Sequence, residues 1–261
     1  MENKISAIVL TKNEEEDIEK CLRSLSWCDE IVIIDDFSDD NSLKIINNIK
    51  KTKEFKNSSI KIFQRYLRGS FTEQRNFGLL KAKYKWVLFI DADEEVSENL
   101  KKEITSQLET DESKKVNGYL IKRKDYFLGK WLNYGETGNI QFIRLAKKES
   151  GKWWGSVHEK WEIDGNVSNL HNPILHYPHK NISEFLVKIN SYSDLVAQHW
   201  KEQGRKSNLV QLTVYPLFKF INNYLLKLGF LDGVPGFAMA AMMSFHSFLV
   251  RSKVNISQNR E

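Results

Sequence analysis

Apolar and polar positions along the first half of the chain change repeatedly between strand-like and helix-like periods. Ile5–Leu10 is an unbroken apolar run, the pattern of a strand covered on both faces. Asn13 then stands where a helix cap belongs, with Glu14, Glu15 and Glu16 placed against the positive end of the helix dipole. Ile18, Leu22 and Leu25 recur at helical spacing and mark that helix's buried side. Glu30–Ile34 predicts a second strand ending in Asp35, followed by a helix through Leu43, Ile46 and Ile49 and a strand near Ile60–Gln64. Phe77, Leu80 and Tyr84 mark a helix over Glu73–Tyr84, and Trp86–Ile90 a fourth strand ending in Asp91. Ser97 caps a further helix carrying Leu100, Ile104 and Leu108 on one face.

Strands alternating with helices imply an α/β fold with a doubly wound, mostly parallel sheet and right-handed crossovers. Such sheets bind ligands outside the carboxyl ends of their strands, where Asp35 and Asp91 both stand. After Gly118 the regularity fades. Lys124 to Tyr177 is rich in aromatics and glycines and reads as irregular strands and loops around an acceptor cleft. From Ser183 helical periods return: Leu217, Ile221, Leu225 and Leu228 form one face, Lys219, Asn223 and Lys227 a polar stripe opposite, and Pro216 suits a first helical turn. The expected organisation is residues 1–180 as the α/β domain and 181–261 as an amphipathic helical extension.

A chain of 261 residues with 41% hydrophobic and 28% charged residues can bury a core and is not wholesale disordered. Its net charge of +5 suits anionic headgroups or phosphorylated ligands better than a dedicated nucleic-acid binder. Cys21 and Cys28 have neither metal-site nor redox spacing and read as buried thiols, compatible with a reducing cytosol. No signal peptide is expected, since Met1–Lys4 leads straight into a short apolar strand. The longest apolar stretch, Phe237 to Val250, falls short of the ~20 residues a membrane span requires.

The main chemical signal is Phe89-Ile90-Asp91-Ala92-Asp93-Glu94. In an extended segment Asp91 and Asp93 would project the same way, roughly 6–7 Å apart. One hard carboxylate can then hold Mg²⁺ or Mn²⁺ while the other reaches a ribose hydroxyl or a metal-bound water. The plain alternative is a solvated acidic turn. Asp35 can accept hydrogen bonds from a base or ribose, the alternative being a helix cap. Gln74 and Arg75 open a helix whose amide end could face phosphates. No GxGxxG follows Ile5–Leu10 and no P-loop is present, which argues against a dinucleotide oxidoreductase or a P-loop enzyme. His158-Glu159-Lys160-Trp161-Glu162 is not HExxH, so a zinc peptidase is rejected.

Taken in order, Ile8-Val9-Leu10-Thr11-Lys12-Asn13-Glu14, Asp35, Glu73-Gln74-Arg75-Asn76 and Asp91-Ala92-Asp93-Glu94 resemble the family 2 glycosyltransferases of GT-A fold. Gly155–Glu159, His176-Tyr177 and Gly229-Phe230-Leu231-Asp232-Gly233 resemble the bacterial lipopolysaccharide-core glucosyltransferase branch. The resemblance spans nearly the whole chain and implies a metal-dependent, inverting transfer from a UDP-sugar. It implies Thr11, Glu14 and Asp35 near the nucleotide, Asp91 at the ribose and Asp91 with Asp93 at a Mg²⁺ or Mn²⁺ ion. Asp36-Phe37-Ser38-Asp39-Asp40 departs from the family's small, glycine-containing turn.

Inverting transfer needs a general base opposite the leaving diphosphate. The residues alone are indifferent among Glu136, Glu159, Glu162 and Asp164, and the resemblance selects Glu159. His158 is a candidate phosphate or metal contact, and one of His171, His176 and His179 could close over the diphosphate. Trp153 and Trp154 could stack on sugar faces, with packing as the default. The C-terminal helices are either a packed subdomain or, with Lys219, Lys227, Arg251 and Lys253 beside apolar faces, a surface for anionic lipid. The expected enzyme takes a UDP-sugar donor, UDP-glucose by the resemblance, and a glycolipid or oligosaccharide acceptor at the inner face of the cytoplasmic membrane, with no nucleic-acid partner. Rival readings are a sugar nucleotidyltransferase and a catalytically inactive sugar-binding protein.

Overall fold

The first apolar run becomes β1 (Ile5–Thr11), buried along its whole length. The computed structural model describes residues 3–155, 159–179 and 181–258. The chain divides into two units, Met1–Arg123 with Gln141–His176, and Lys124–Ile140 with Tyr177–Glu261.

In the first unit the chain continues through α1 (Ile18–Ser24), β2 (Glu30–Asp35), α2 (Ser42–Ile49), β3 (Ser59–Gln64), α3 (Phe71–Lys81) and β4 (Trp86–Asp91). Then come β5 (Glu94–Val96), α4 (Glu98–Glu109), α5 (Glu112–Lys115) and β6 (Gly118–Phe127). β7 (Lys130–Trp131) belongs to the second unit, and the first continues with β8 (Gln141–Lys147), β9 (Gly151–Trp154), β10 (Lys160–Ile163), β11 (Val167–Asn169) and β12 (Ile174–His176). The sheet order is β3-β2-β1-β4-β8-β6-β12-β5. β1 to β4 pair in parallel, whereas β8 runs antiparallel to both β4 and β6. The stretch expected to be irregular therefore supplies strands that extend the sheet, because Leu120, Ile121, Ile143 and Leu145 lie in pairing segments rather than loops.

Alternate residues of each central strand enter opposite cores. Ala7, Val9, Ile31, Ile33, Leu88 and Ile90 meet Ile18, Leu22, Leu25, Ile46, Leu100 and Ile104 on one face. Ile8, Leu10, Val32, Ile34, Val87 and Phe89 meet Leu79, Trp153 and Trp161 on the other. Burial of each such aliphatic side chain stabilises the fold by about 2 kcal/mol before entropy is counted. Cys21 and Cys28 are both buried thiols. Gly78 lets α3 approach β1 closely: a Cβ there would lie 2.6 Å from Ile8 Cγ2.

Several boundaries differ from the sequence expectation. Asn13 does not cap a helix. Its φ of 55° is left-handed, its Oδ1 accepts from the Asp39 N–H at 2.9 Å, and α1 starts only at Ile18. α3 begins two residues earlier than Glu73, where Ser70 Oγ accepts the Glu73 N–H at 3.2 Å. Ser97 does cap α4, accepting from Leu100 N–H at 3.2 Å.

The second unit holds α6 (Ile182–Glu202), α7 (Leu209–Ile221) and α8 (Val234–Gln258). Residues 124–140 group with these helices rather than with the residue 1–180 body. Polar contacts explain the regrouping. The buried Asp232 carboxylate accepts the N–H groups of Asn133 and Tyr134, each at 2.9 Å. Glu136 pairs with Lys219 at 2.7 Å and accepts from Asn223 at 3.0 Å. Pro216 lies inside α7, not in its first turn. The helix start is set instead by a capping box between Asn208 and Gln211. No helix among the described residues is long and apolar enough to cross a membrane.

Candidate active site

Strand register sets the site. Thr11 lies opposite Asp35 across β1 and β2, and Leu10 opposite Asp91 across β1 and β4, so three polar residues end adjacent strands side by side. Thr11 is buried, and its Oγ1 has no hydrogen-bond partner among the described residues. A buried hydroxyl in that state is available to a ligand.

Asp35 is fully buried and organises the loop after β2. It accepts from Ser38 Oγ at 2.5 Å, from Ser38 N–H at 3.2 Å and from Gln64 Nε2 at 3.0 Å. Phe37 occupies the left-handed region (φ 53°) where a glycine would be relaxed. Its ring stacks on Tyr66 with centroids 3.9 Å apart, and Lys12 Nζ donates to the Phe37 carbonyl at 2.8 Å. Glu14 is half-buried, and its N–H donates to Ser42 Oγ at 2.8 Å.

Asp91 and Asp93 do not continue one extended strand. β4 stops at Asp91, Ala92 and Asp93 form a turn, and β5 resumes at Glu94. Glu94 closes this turn by accepting the Asp91 N–H at 2.9 Å. The two aspartates consequently meet different partners. Asp91 accepts from Arg75 Nη2 at 3.0 Å and from Arg144 Nη2 at 2.8 Å. Arg144 also donates to Glu94 at 3.1 Å. Asp93 Oδ2 lies 3.5 Å from His176 Nε2. The antiparallel pairing of β12 with β5, which sets His176 opposite Glu94, brings the imidazole there.

Burial would raise the Asp91 pKa, but the Arg144 and Arg75 charges outweigh it and hold the carboxyl well below the usual carboxylate range. Glu94 goes the other way: burial lifts it, opposed by Arg144 and assisted by the Asp91 charge. Burial alone would lower the Arg144 pKa, but Asp91 and Glu94 raise it, so the guanidinium stays charged.

Arg75 reaches Asp91 because α3 is tied to β9 by two hydrogen bonds between Asn76 and the Trp153 backbone, each 3.0 Å. Its guanidinium lies 4.6 Å from the Trp153 ring centroid. Nε and Nη1 of both Arg75 and Arg144 are buried without partners among the described residues, as is Gln74 Oε1. Gln74 Nε2 donates to the Arg65 carbonyl at 2.5 Å. Two guanidiniums with spare donors beside a strand-end carboxylate suit a diphosphate. Trp153 is a core residue, stacked on Trp161 at 5.6 Å, whereas Trp154 is exposed.

Among the base candidates, Glu159 is half-buried just before β10, Glu162 and Asp164 are exposed, and Glu136 belongs to the second unit. His158 lies outside the described residues. His171 is exposed beside Glu103, and His179 stacks on Phe185 at 3.8 Å in the second unit. Arg144 escaped the sequence reading, as did the part that Glu94 plays as its partner. The available signal was a lone arginine inside the apolar run Phe142–Ala146.

A divalent cation fits only part of this constellation. Asp91 already faces two guanidiniums, which would repel a cation, while Asp93 and His176 offer a carboxylate and an imidazole, donors suited to Mn²⁺. No set of three His, Cys, Asp or Glu side chains converges among the described residues. A Mg²⁺-type ion that keeps waters and substrate phosphate oxygens needs only about one or two protein carboxylates.

Acidic residues at the carboxyl ends of the parallel strands, with arginines beside them, form the kind of crevice in which open α/β sheets bind ligands. The sequence model described as Glycosyl transferase family 2 matches residues 6–161, and the chain belongs to this family. The chain is similar to the lipopolysaccharide core biosynthesis glycosyltransferase LpsC of Rhizobium meliloti, 27% identical over 96% of this chain and 91% of that protein. It is also similar to the uncharacterized glycosyltransferase RC0292 of Rickettsia conorii, 26% identical over 97% and 90% of the two chains. Among solved structures it resembles S. aureus TarS 1–349 in complex with UDP-GlcNAc (TM-score 0.51, 15% identity, 99% of this chain and 92% of that one). It likewise resembles the mannosyltransferase PcManGT of Pyrobaculum calidifontis with GDP-Man and Mn²⁺ (TM-score 0.56, 13% identity, 99% and 88%). These likenesses establish the GT-A fold.

Proposed function

We propose that the protein transfers a hexose, glucose from UDP-glucose, with inversion onto a lipid-linked or lipopolysaccharide-core glycan at the cytoplasmic face of the membrane. The observation that carries this reading is the side-by-side placement of Thr11, Asp35 and Asp91 at three strand ends, with Arg75 and Arg144 on Asp91. The UDP-GlcNAc bound to TarS and the lipopolysaccharide core biosynthesis role of LpsC support the donor and acceptor classes.

In this reading Thr11, Glu14 and Asp35 take the nucleoside, Asp91 reaches the ribose, and Gln74 and Arg75 face the diphosphate. Asp93, with His176, would hold a Mg²⁺ or Mn²⁺ ion, whose chemistry is to neutralise charge on the leaving diphosphate. Asp91, already committed to guanidiniums, is better placed to orient Arg75 than to ligate the ion. Glu159 takes the proton of the acceptor hydroxyl as its oxygen attacks the anomeric carbon from the face opposite UDP. The C1–O bond breaks and UDP leaves with the electron pair, so the configuration inverts.

A donor screen by UDP release, with Mn²⁺ or EDTA and a glycolipid acceptor extract, tests the reading. UDP released from UDP-glucose only with acceptor and cation present is expected. Pyrophosphate release would favour the nucleotidyltransferase, and donor binding without any turnover the inactive binder.

A further inference from the structure

The polarity of α7 is turned inside out. Of the apolar stripe Leu217, Ile221, Leu225 and Leu228, Ile221 is half-buried, whereas Leu217 in α7 and Leu225 and Leu228 just beyond its end are exposed, at 61%, 51% and 44%. Of the opposite, polar stripe Asn223 is 2% exposed and Lys219 is engaged by Glu136, while Lys227 is exposed. Of the residues of α7 only Pro216 is buried. Its outward set also includes Leu209, Val210, Val214, Tyr215 and Phe218. At about 100° per residue these cover roughly two thirds of the helix circumference. The hairpin tip continues the pattern with exposed Leu226, Phe230, Leu231, Val234 and Phe237.

Charge is distributed to match. Between residues 203 and 258 the chain carries six Lys or Arg and a single carboxylate, Asp232, which is buried. Arg205 and Lys206 are exposed just before α7 and Lys227 at the tip, so cations bracket the apolar helix. Arg251 lies over Tyr215 at 4.4 Å, joining a guanidinium to an amphipathic ring of the kind found at membrane interfaces.

We infer that the α7–α8 hairpin is a monotopic docking face for an anionic lipid bilayer, with α7 and the tip seated at the headgroup–acyl boundary. This deepens the membrane-acceptor reading and rests on it for purpose, though not for evidence. A protein groove covers a stripe of a helix. An apolar surface covering most of the circumference, bracketed by cations and carrying no exposed carboxylate between residues 203 and 258, instead matches a fluid apolar phase beneath a negative surface. A second copy of the chain would bring the same cations face to face.

The test is co-sedimentation of the full chain with vesicles of phosphatidylcholine alone or mixed with phosphatidylglycerol. Tight binding to the mixed vesicles and weak binding to neutral ones is expected. Lys206→Ala and Lys227→Ala should each weaken it about fivefold, and Leu226→Glu or Phe218→Glu at least about tenfold. Because all four side chains point outward, circular dichroism should be unchanged; if a Glu variant fails to fold, the two Ala variants still decide. Absence of vesicle binding, indifference to phosphatidylglycerol, or a dimer that the Glu variants dissolve would each overturn the inference. Calorimetry with UDP-glucose on the same preparations separates the two readings: donor binding without vesicle binding sinks the docking face alone, and the converse sinks the transferase alone.

Discussion

Arg144 Nη2 stands 2.8 Å from a carboxylate oxygen of Asp91, and the same nitrogen reaches Glu94 at 3.1 Å. One buried cation therefore braces both acidic ends of the β4–β5 turn. Arg144→Gln would leave Glu94 buried without its cation and Asp91 with Arg75 alone, costing about 3 kcal/mol at neutral pH. Chemical denaturation of the two proteins measures the difference.

That cost should depend on pH. Asp91 has a depressed folded pKa, so its stabilisation is complete above the unfolded value near 3.8 and is lost as pH falls toward the folded one. Glu94 is raised, so its contribution has the opposite sign, complete at low pH and lost as pH rises through its folded value. The gap between parent and Arg144→Gln should narrow below pH 3.8. A gap that widens on acidification would show that the Arg144–Asp91 pair does not govern acid stability.

Asp93→Ala and His176→Ala should each weaken Mn²⁺ binding in the presence of UDP, by about ten- to a hundredfold. Electron paramagnetic resonance of free Mn²⁺ reads this without any turnover. Asp91→Asn should disturb cation affinity less than Asp93→Ala; the reverse order would assign the ion to Asp91.

Glu159→Gln should keep donor affinity by calorimetry and lose transfer by at least about a hundredfold. Near-normal turnover in this variant would transfer the base role elsewhere.

Gly78→Ala should destabilise the first unit by about 1–3 kcal/mol, because its Cβ would meet Ile8 Cγ2 at 2.6 Å. Since α3 carries Gln74 and Arg75, donor affinity should fall as well. A melting temperature equal to the parent's would mean that Ile8 moves aside without cost.

The parallel half of the sheet is legible in sequence because Ile5–Leu10, residues 31–34 and Trp86–Ile90 are almost unbroken apolar runs that suit burial on both faces. Asp35 and Asp91 are legible for the same reason: each is the first acid after such a run. β8 is not, since its alternation is mixed and its place depends on pairing with β4 and β6, segments far away in the chain. Arg144 is hidden with it. The turn at Ala92-Asp93 is likewise invisible, because what closes it is a side-chain bond from Glu94 rather than any glycine or proline. In α7 the spacing identifies an apolar face without saying which medium it meets, and the structure leaves most of that face exposed.

The outward leucines and phenylalanines of α7 and the hairpin tip have a further consequence. Side chains with so few neighbours contribute little to folding, so a screen for thermal stability or soluble yield would accept, and even favour, polar residues at Leu217, Phe218 and Leu226. Purification and evolution would then pull these positions in opposite directions, and only an assay that includes lipid would register what had been lost.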